Sequence, residues 1–166
     1  VGSEMCIRDR SYIKHLSDEL NETIFLAYPQ GYEMIYLTKI DSHRSIRTAA
    51  QPGANKPIYT TGLGKACLYM YDKKLLDCFF LDIEFEQVTP YTVKNYEMLK
   101  VQLRRFKAQG YAIDDEENEL GLYCIAAPIL TDAGHVIGAI SCAGPKERIQ
   151  HNDLIPQKIK QNAYFI

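Results

Sequence analysis

The spacing of apolar positions changes repeatedly along this chain, and each change marks an element. From Ser11 to Thr23, Ile13, Leu16 and Leu20 recur at helical spacing and predict one helix. Ile24-Phe25-Leu26-Ala27-Tyr28 predicts a strand, Pro29-Gln30-Gly31 a turn, and Met34-Ile35-Tyr36-Leu37 an antiparallel return. Ser45 to Ala50 predicts a third strand, followed by a Pro/Gly loop from Gln51 to Lys56. Thr60 and Thr61 are both good N-caps for a helix reaching about Tyr71, with a short second helix around Leu75 to Phe80. After Pro90, Tyr96, Leu99, Leu103 and Phe106 mark a long amphipathic helix that Gly110 ends. Tyr111–Ile113, Leu122–Leu130 and Val136–Cys142 then predict strands, the last two joined through Asp132-Ala133-Gly134-His135, where Gly134 can turn left-handed. A last helix is expected from about Asn152, without an evident cap. Hairpins at both ends with helices between them predict an α+β domain on a mixed or antiparallel sheet, without the βαβαβ alternation of a dinucleotide fold.

The N-terminus needs a separate reading. Val1 to Asp9 back-translates without a mismatch to the adapter of transposon-based sequencing libraries, and Arg10 fits the codon that follows. Residues 1–10 are therefore expected to be adapter-derived and outside the fold, with the natural chain beginning upstream of Ser11. Within that segment Glu4 and Asp9 balance Arg8 and Arg10, so the net charge of −2 belongs to the remainder. A near-neutral domain of this length can bury a core but lacks a footprint for a nucleic-acid backbone. No apolar run approaches the roughly 20 residues that span a bilayer. With Cys6 set aside, Cys67, Cys78, Cys124 and Cys142 show neither C-x-x-C nor metal-ligand spacing. Reduced thiols in a cytoplasmic protein, with no metal and no cofactor, is the expectation.

Candidate chemistry gathers at two places. Gly62-Leu63-Gly64-Lys65-Ala66 fits neither a Walker loop, since Ala66 stands where Ser or Thr is needed, nor the dinucleotide fingerprint, since Cys67 replaces its third glycine. Two readings stay open. Glycines at a helix start can let an anion approach free N–H groups, or they can let the helix pack tightly on a sheet. The second place is Asp114-Asp115-Glu116-Glu117. Here Asp115, Glu116 and Glu117 are expected to be a solvated loop, whereas Asp114 continues an apolar strand and can point inward as a ligand contact. Ser141-Cys142-Ala143-Gly144-Pro145 leaves room beside the sheet. A nucleophile at Cys124 or Cys142 is the enzymatic alternative, although His15, His43, His135 and His151 fall away from those strands.

Together these stretches resemble the effector-binding domain of IclR-family bacterial transcription regulators. The resemblance rests on Leu16 to Thr23, Ser45-Ile46-Arg47, Pro57 to Ala66, Thr89-Pro90, Gln109 to Glu117, Gly121 to Pro128 and Ile140 to Pro145, in order across Ser11 to Ile166. It implies a GAF-like, curved, mainly antiparallel sheet flanked by helices. It also implies a small organic acid as effector, dimers or tetramers formed through this domain, and operator DNA bound by an N-terminal winged helix-turn-helix not present in Ser11 to Ile166. The implied effector contacts are Gly62, Leu63, Asp114, Leu122, Cys124, Ser141, Cys142 and Ala143. Some members carry a second Ser where this chain has Ala143, so one polar anchor is missing. A stand-alone GAF-like sensor is a further alternative.

Overall fold

The structure, a computed structural model, describes residues 5–46, 48–164 and 166. Six strands form one sheet in the order β3-β2-β1-β6-β5-β4, every neighbouring pair antiparallel. The strands are β1 (Thr23–Gln30), β2 (Glu33–Ile40), β3 (Asn55–Pro57), β4 (Ala112–Asp115), β5 (Leu122–Leu130) and β6 (Val136–Pro145). The helices are α1 (Met5–Leu20), α2 (Gly62–Leu68), α3 (Lys73–Phe80), α4 (Tyr96–Gln109), α5 (Lys146–Ile149) and α6 (Leu154–Ala163).

Both faces of the sheet are covered, which is why the central strands are apolar at nearly every position. Ile24, Leu26, Ile125, Ile129, Ile140 and Cys142 pack on one face with Ile13 and Leu16 of α1 and Ile155 and Ile159 of α6. On the other face Phe25, Ala27, Cys124, Ala126, Ala139 and Ala143 meet α2 and α4, where Leu63, Leu99, Leu103 and Phe106 complete the second core. Each such aliphatic or aromatic side chain withdrawn from water contributes about 1.5–3 kcal/mol. The second face is built from small residues on β5 and β6, and this lets the short helix α2 lie close to the strands.

The helix predicted from Ser11 starts at Met5 and stops at Leu20, where Asn21 takes a left-handed φ of 50° before β1 begins. The predicted strand at Ser45–Ala50 is not formed. Arg47 lies outside the described residues, and those around it are bends and irregular chain. The edge of β2 is taken instead by β3, because Gly53 turns left-handed (φ 86°) and brings Ala54 back to accept from the Tyr36 N–H. Gly110, at φ 85°, ends α4 as expected, and its N–H returns to Phe106 O. The motif at Leu16–Thr23 has a packing role: Ser17 Oγ donates to Glu22 O at 2.8 Å, and the buried Glu22 carboxylate receives Arg148 of α5.

Candidate functional site

A cavity of about 20 Å³ lies between the start of α2 and strands β4, β5 and β6. Room for a single water takes roughly 10–15 Å³, so anything larger enters only as the walls give way. Thr61 sets the geometry. Its side chain accepts from Gly64 N at 2.9 Å and caps α2, leaving the Gly62 and Leu63 N–H groups among the first-turn donors that a helix cannot satisfy internally. A Cβ on Gly62 would stand 3.0 Å from Cys124 Sγ and 3.6 Å from the Asp114 Cβ, so this residue faces the cavity floor. Gly64 differs: its Cβ would fall 1.9 Å from Ile58 O. The two glycines thus divide the two readings of the motif. Gly62 opens onto the cavity, and Gly64 lets the backbones pack.

The floor is a row across the sheet. Asp114 pairs with Cys124, and Cys124 pairs with Ala143, while Ser141 stands two residues along the same face of β6. Seven of the eight predicted residues therefore converge on one cavity: Gly62, Leu63, Asp114, Leu122, Cys124, Ser141 and Ala143. Cys142 is the correction. It points to the opposite face, into the core with α1 and α6, because alternate residues of a strand face opposite ways. That period was available in the sequence. Two larger grooves, of about 790 and 380 Å³, hold none of the predicted residues.

Asp114 is buried, and its Oδ1 accepts from Glu117 N at 2.8 Å and Asn118 N at 3.3 Å. Burial pushes its pKa up to about 7, against the pull of Lys65 and of those two N–H groups. Glu117 is not solvated as expected. Its carboxylate is buried against Lys65, which is fully buried in α2, and also receives Gln102 Nε2 at 3.2 Å and Val93 N at 3.2 Å. Burial pushes the Lys65 ammonium below its usual range, while Glu117 and Asp114 hold it up. Asp115 and Glu116 also have a partner in Lys146, at 2.8 and 3.3 Å. The acidic run is thus a neutralised, anchored loop whose cations come from distant segments.

Three buried polar atoms on the cavity wall have no hydrogen-bond partner: Thr48 Oγ1, Asn118 Oδ1 and Ser141 Oγ. Ser141 stands near enough to Cys124 to ease that thiol's ionisation slightly, but at no hydrogen-bonding geometry. Buried polar groups in folded proteins are nearly always paired, whether by protein, ordered water or a ligand. Thr48 and Asn118 were missed from the sequence because both sit on irregular segments without periodicity.

The family model described as bacterial transcriptional regulator IclR C-terminal matches residues 3–164. The chain belongs to the IclR family. It is 34% identical over 136 residues to the HTH-type transcriptional repressor AllR of Salmonella typhi, covering 82% of this chain and 50% of that protein. It thus spans about half the length of the curated relatives it matches. The C-terminal domain of the E. coli transcriptional regulator KdgR superposes with a TM-score of 0.80 at 30% identity, over 93% of this chain and 90% of that one. A double mutant of the PobR inducer-binding domain from Acinetobacter, complexed with 3-hydroxybenzoic acid, superposes at 0.82 and 21% identity, over 94% and 93%.

The IclR-family fold is the expected α+β, GAF-like one. IclR-family chains are transcriptional regulators rather than enzymes, and the thiols agree with that. Cys67, Cys124 and Cys142 are buried and pushed up by burial, whereas all four histidines are exposed. No Cys/His pair can form there. Among the described residues no cluster of three or more His, Cys, Asp or Glu is placed to hold a metal. No described helix is long and apolar enough to cross a membrane.

Proposed function

We propose that this cavity binds a small organic acid and that the domain reports its occupancy to a DNA-binding module in the full-length regulator. One observation carries the reading: the unpaired Ser141 hydroxyl and the Gly62-Leu63 start of α2 line the same buried space. The Gly62 and Leu63 N–H groups hold the carboxylate, with the helix start favouring its charge. Ser141 and Asp114 meet a hydroxyl or hydrated carbonyl, and Leu122, Cys124 and Ala143 set the shape. A 3-hydroxybenzoic acid complex of a similar fold and the repressor naming of AllR support the same reading. Dimers or tetramers in the cytoplasm, and operator DNA bound through a module outside this domain, belong to this proposal. So does the adapter origin of residues 1–10, although α1 takes in Met5 to Arg10. Sequencing the source DNA across the Arg10–Ser11 junction tests that point.

The binding test is thermal denaturation across a panel of keto, hydroxy, sugar and aromatic acids. A true effector raises Tm with concentration, as mass action requires. Gly62→Val, which puts bulk under the amides, and Asp114→Ala are expected to abolish the rise. No shift with any acid would overturn the proposal.

A further inference from the structure

The cavity has a polar roof as well as a polar floor, and the roof points to the class of acid it takes. We propose that the effector is a hydroxylated acid, carrying at least one hydroxyl beyond its carboxylate end that is held between Thr48 and Asn118. This deepens the proposed function and rests on it.

Thr48 lies in the irregular segment between β2 and β3. Its carbonyl accepts from Lys39 Nζ at 2.8 Å, and that lysine is itself buried along its stem on β2. Asn118 lies in the turn between β4 and β5, with its N–H on Asp114 Oδ1. Each residue is therefore fixed through its backbone, and neither side chain takes part in the fixing. Both residues are buried, at 6% and 9% exposure, yet Thr48 Oγ1 and Asn118 Oδ1 meet no protein partner. A pocket built for an alkyl or aryl group would gain nothing from such atoms, because leaving them dry and unpaired costs free energy. A hydroxyl is the group that satisfies both at once. It donates to an amide oxygen, accepts from a threonine hydroxyl, and still serves if the asparagine amide turns to present its NH2. The α2 amides engage the carboxylate end, so the roof reads a hydroxyl further along the molecule.

The experiment compares acids of one carbon skeleton. Calorimetry on the full chain with propionate against glycerate, and butyrate against threonate, isolates the added hydroxyls. The expected result is binding of the hydroxylated acid at least about tenfold tighter within a pair. Thr48→Val and Asn118→Ala, separately and together, are expected to bring that ratio toward one. Equal or tighter binding of propionate or butyrate would overturn the hydroxyl assignment and leave the acid-sensor reading standing. A ratio untouched by the double variant would also overturn it. Binding of no acid at all would overturn both.

Discussion

Near neutral pH the Asp114 carboxyl sits close to its midpoint, a consequence of one side chain's burial in the cavity wall. Its pKa rises from 3.8 to about 7 on folding, so between those values the folded domain holds a proton that the unfolded chain has released. Stability contributed at this site therefore falls as pH rises through that window, and levels off above it. Below about pH 4 both states are protonated and no difference remains. Asp114→Asn keeps an oxygen for the Glu117 and Asn118 N–H groups but cannot ionise. It is expected to stabilise the domain at pH 8 by an amount on the order of a few kcal/mol, with the gain vanishing near pH 4. Urea denaturation of both proteins at the two pH values checks this. A difference independent of pH would show that ionisation of Asp114 has no part in it.

Among the elements, α2 shows how two glycines two residues apart do different work. On Gly64 a methyl group would collide with Ile58 backbone, which cannot rotate away, so Gly64→Ala is expected to cost more than about 3 kcal/mol. On Gly62 the nearest atom is the Cys124 side chain, at a distance a small shift can relieve. Gly62→Ala is therefore expected to fold with a loss below about 1.5 kcal/mol while weakening acid binding by filling the cavity. Thermal melts of the two variants with and without acid separate the effects, and equal destabilisation would contradict the division. Much of this level was legible beforehand. Thr61 announced the cap, Gly110 the end of α4 and Gly134 a left-handed turn, and apolar runs announced β1, β2, β5 and β6. The third strand was not legible, because Asn55-Lys56-Pro57 carries no apolar alternation and is a strand only through its pairing with β2. The seven floor and helix residues came as a set from the family resemblance, while the pattern of the chain by itself pointed to the glycine helix start, to Asp114 and to the small residues from Ser141. Thr48, Asn118 and the true state of Glu117 were not legible, since each is decided by a partner or a cavity far away in sequence.

At the scale of the molecule, Glu117 joins parts that no local pattern connects. Its carboxylate takes Lys65 from α2, Gln102 from α4 and Val93 N from the segment before α4. Its carbonyl accepts from Thr92 at 2.6 Å and Thr89 at 3.3 Å, and its N–H goes to Asp114 in the cavity wall. A buried ion pair of this kind gives little net stability over an apolar pair of the same shape, but losing one member strands the other charge. Glu117→Leu and Lys65→Met are therefore expected to cost about 3–5 kcal/mol each. The double variant should cost far less than their sum, leaving a coupling of several kcal/mol between residues 52 positions apart. Chemical denaturation of the four proteins closes the cycle, and additive losses would mean that Lys65 and Glu117 are each held by their other neighbours. Strong coupling would instead identify the pair as the joint through which α4 and the 89–93 segment are fastened to the cavity wall.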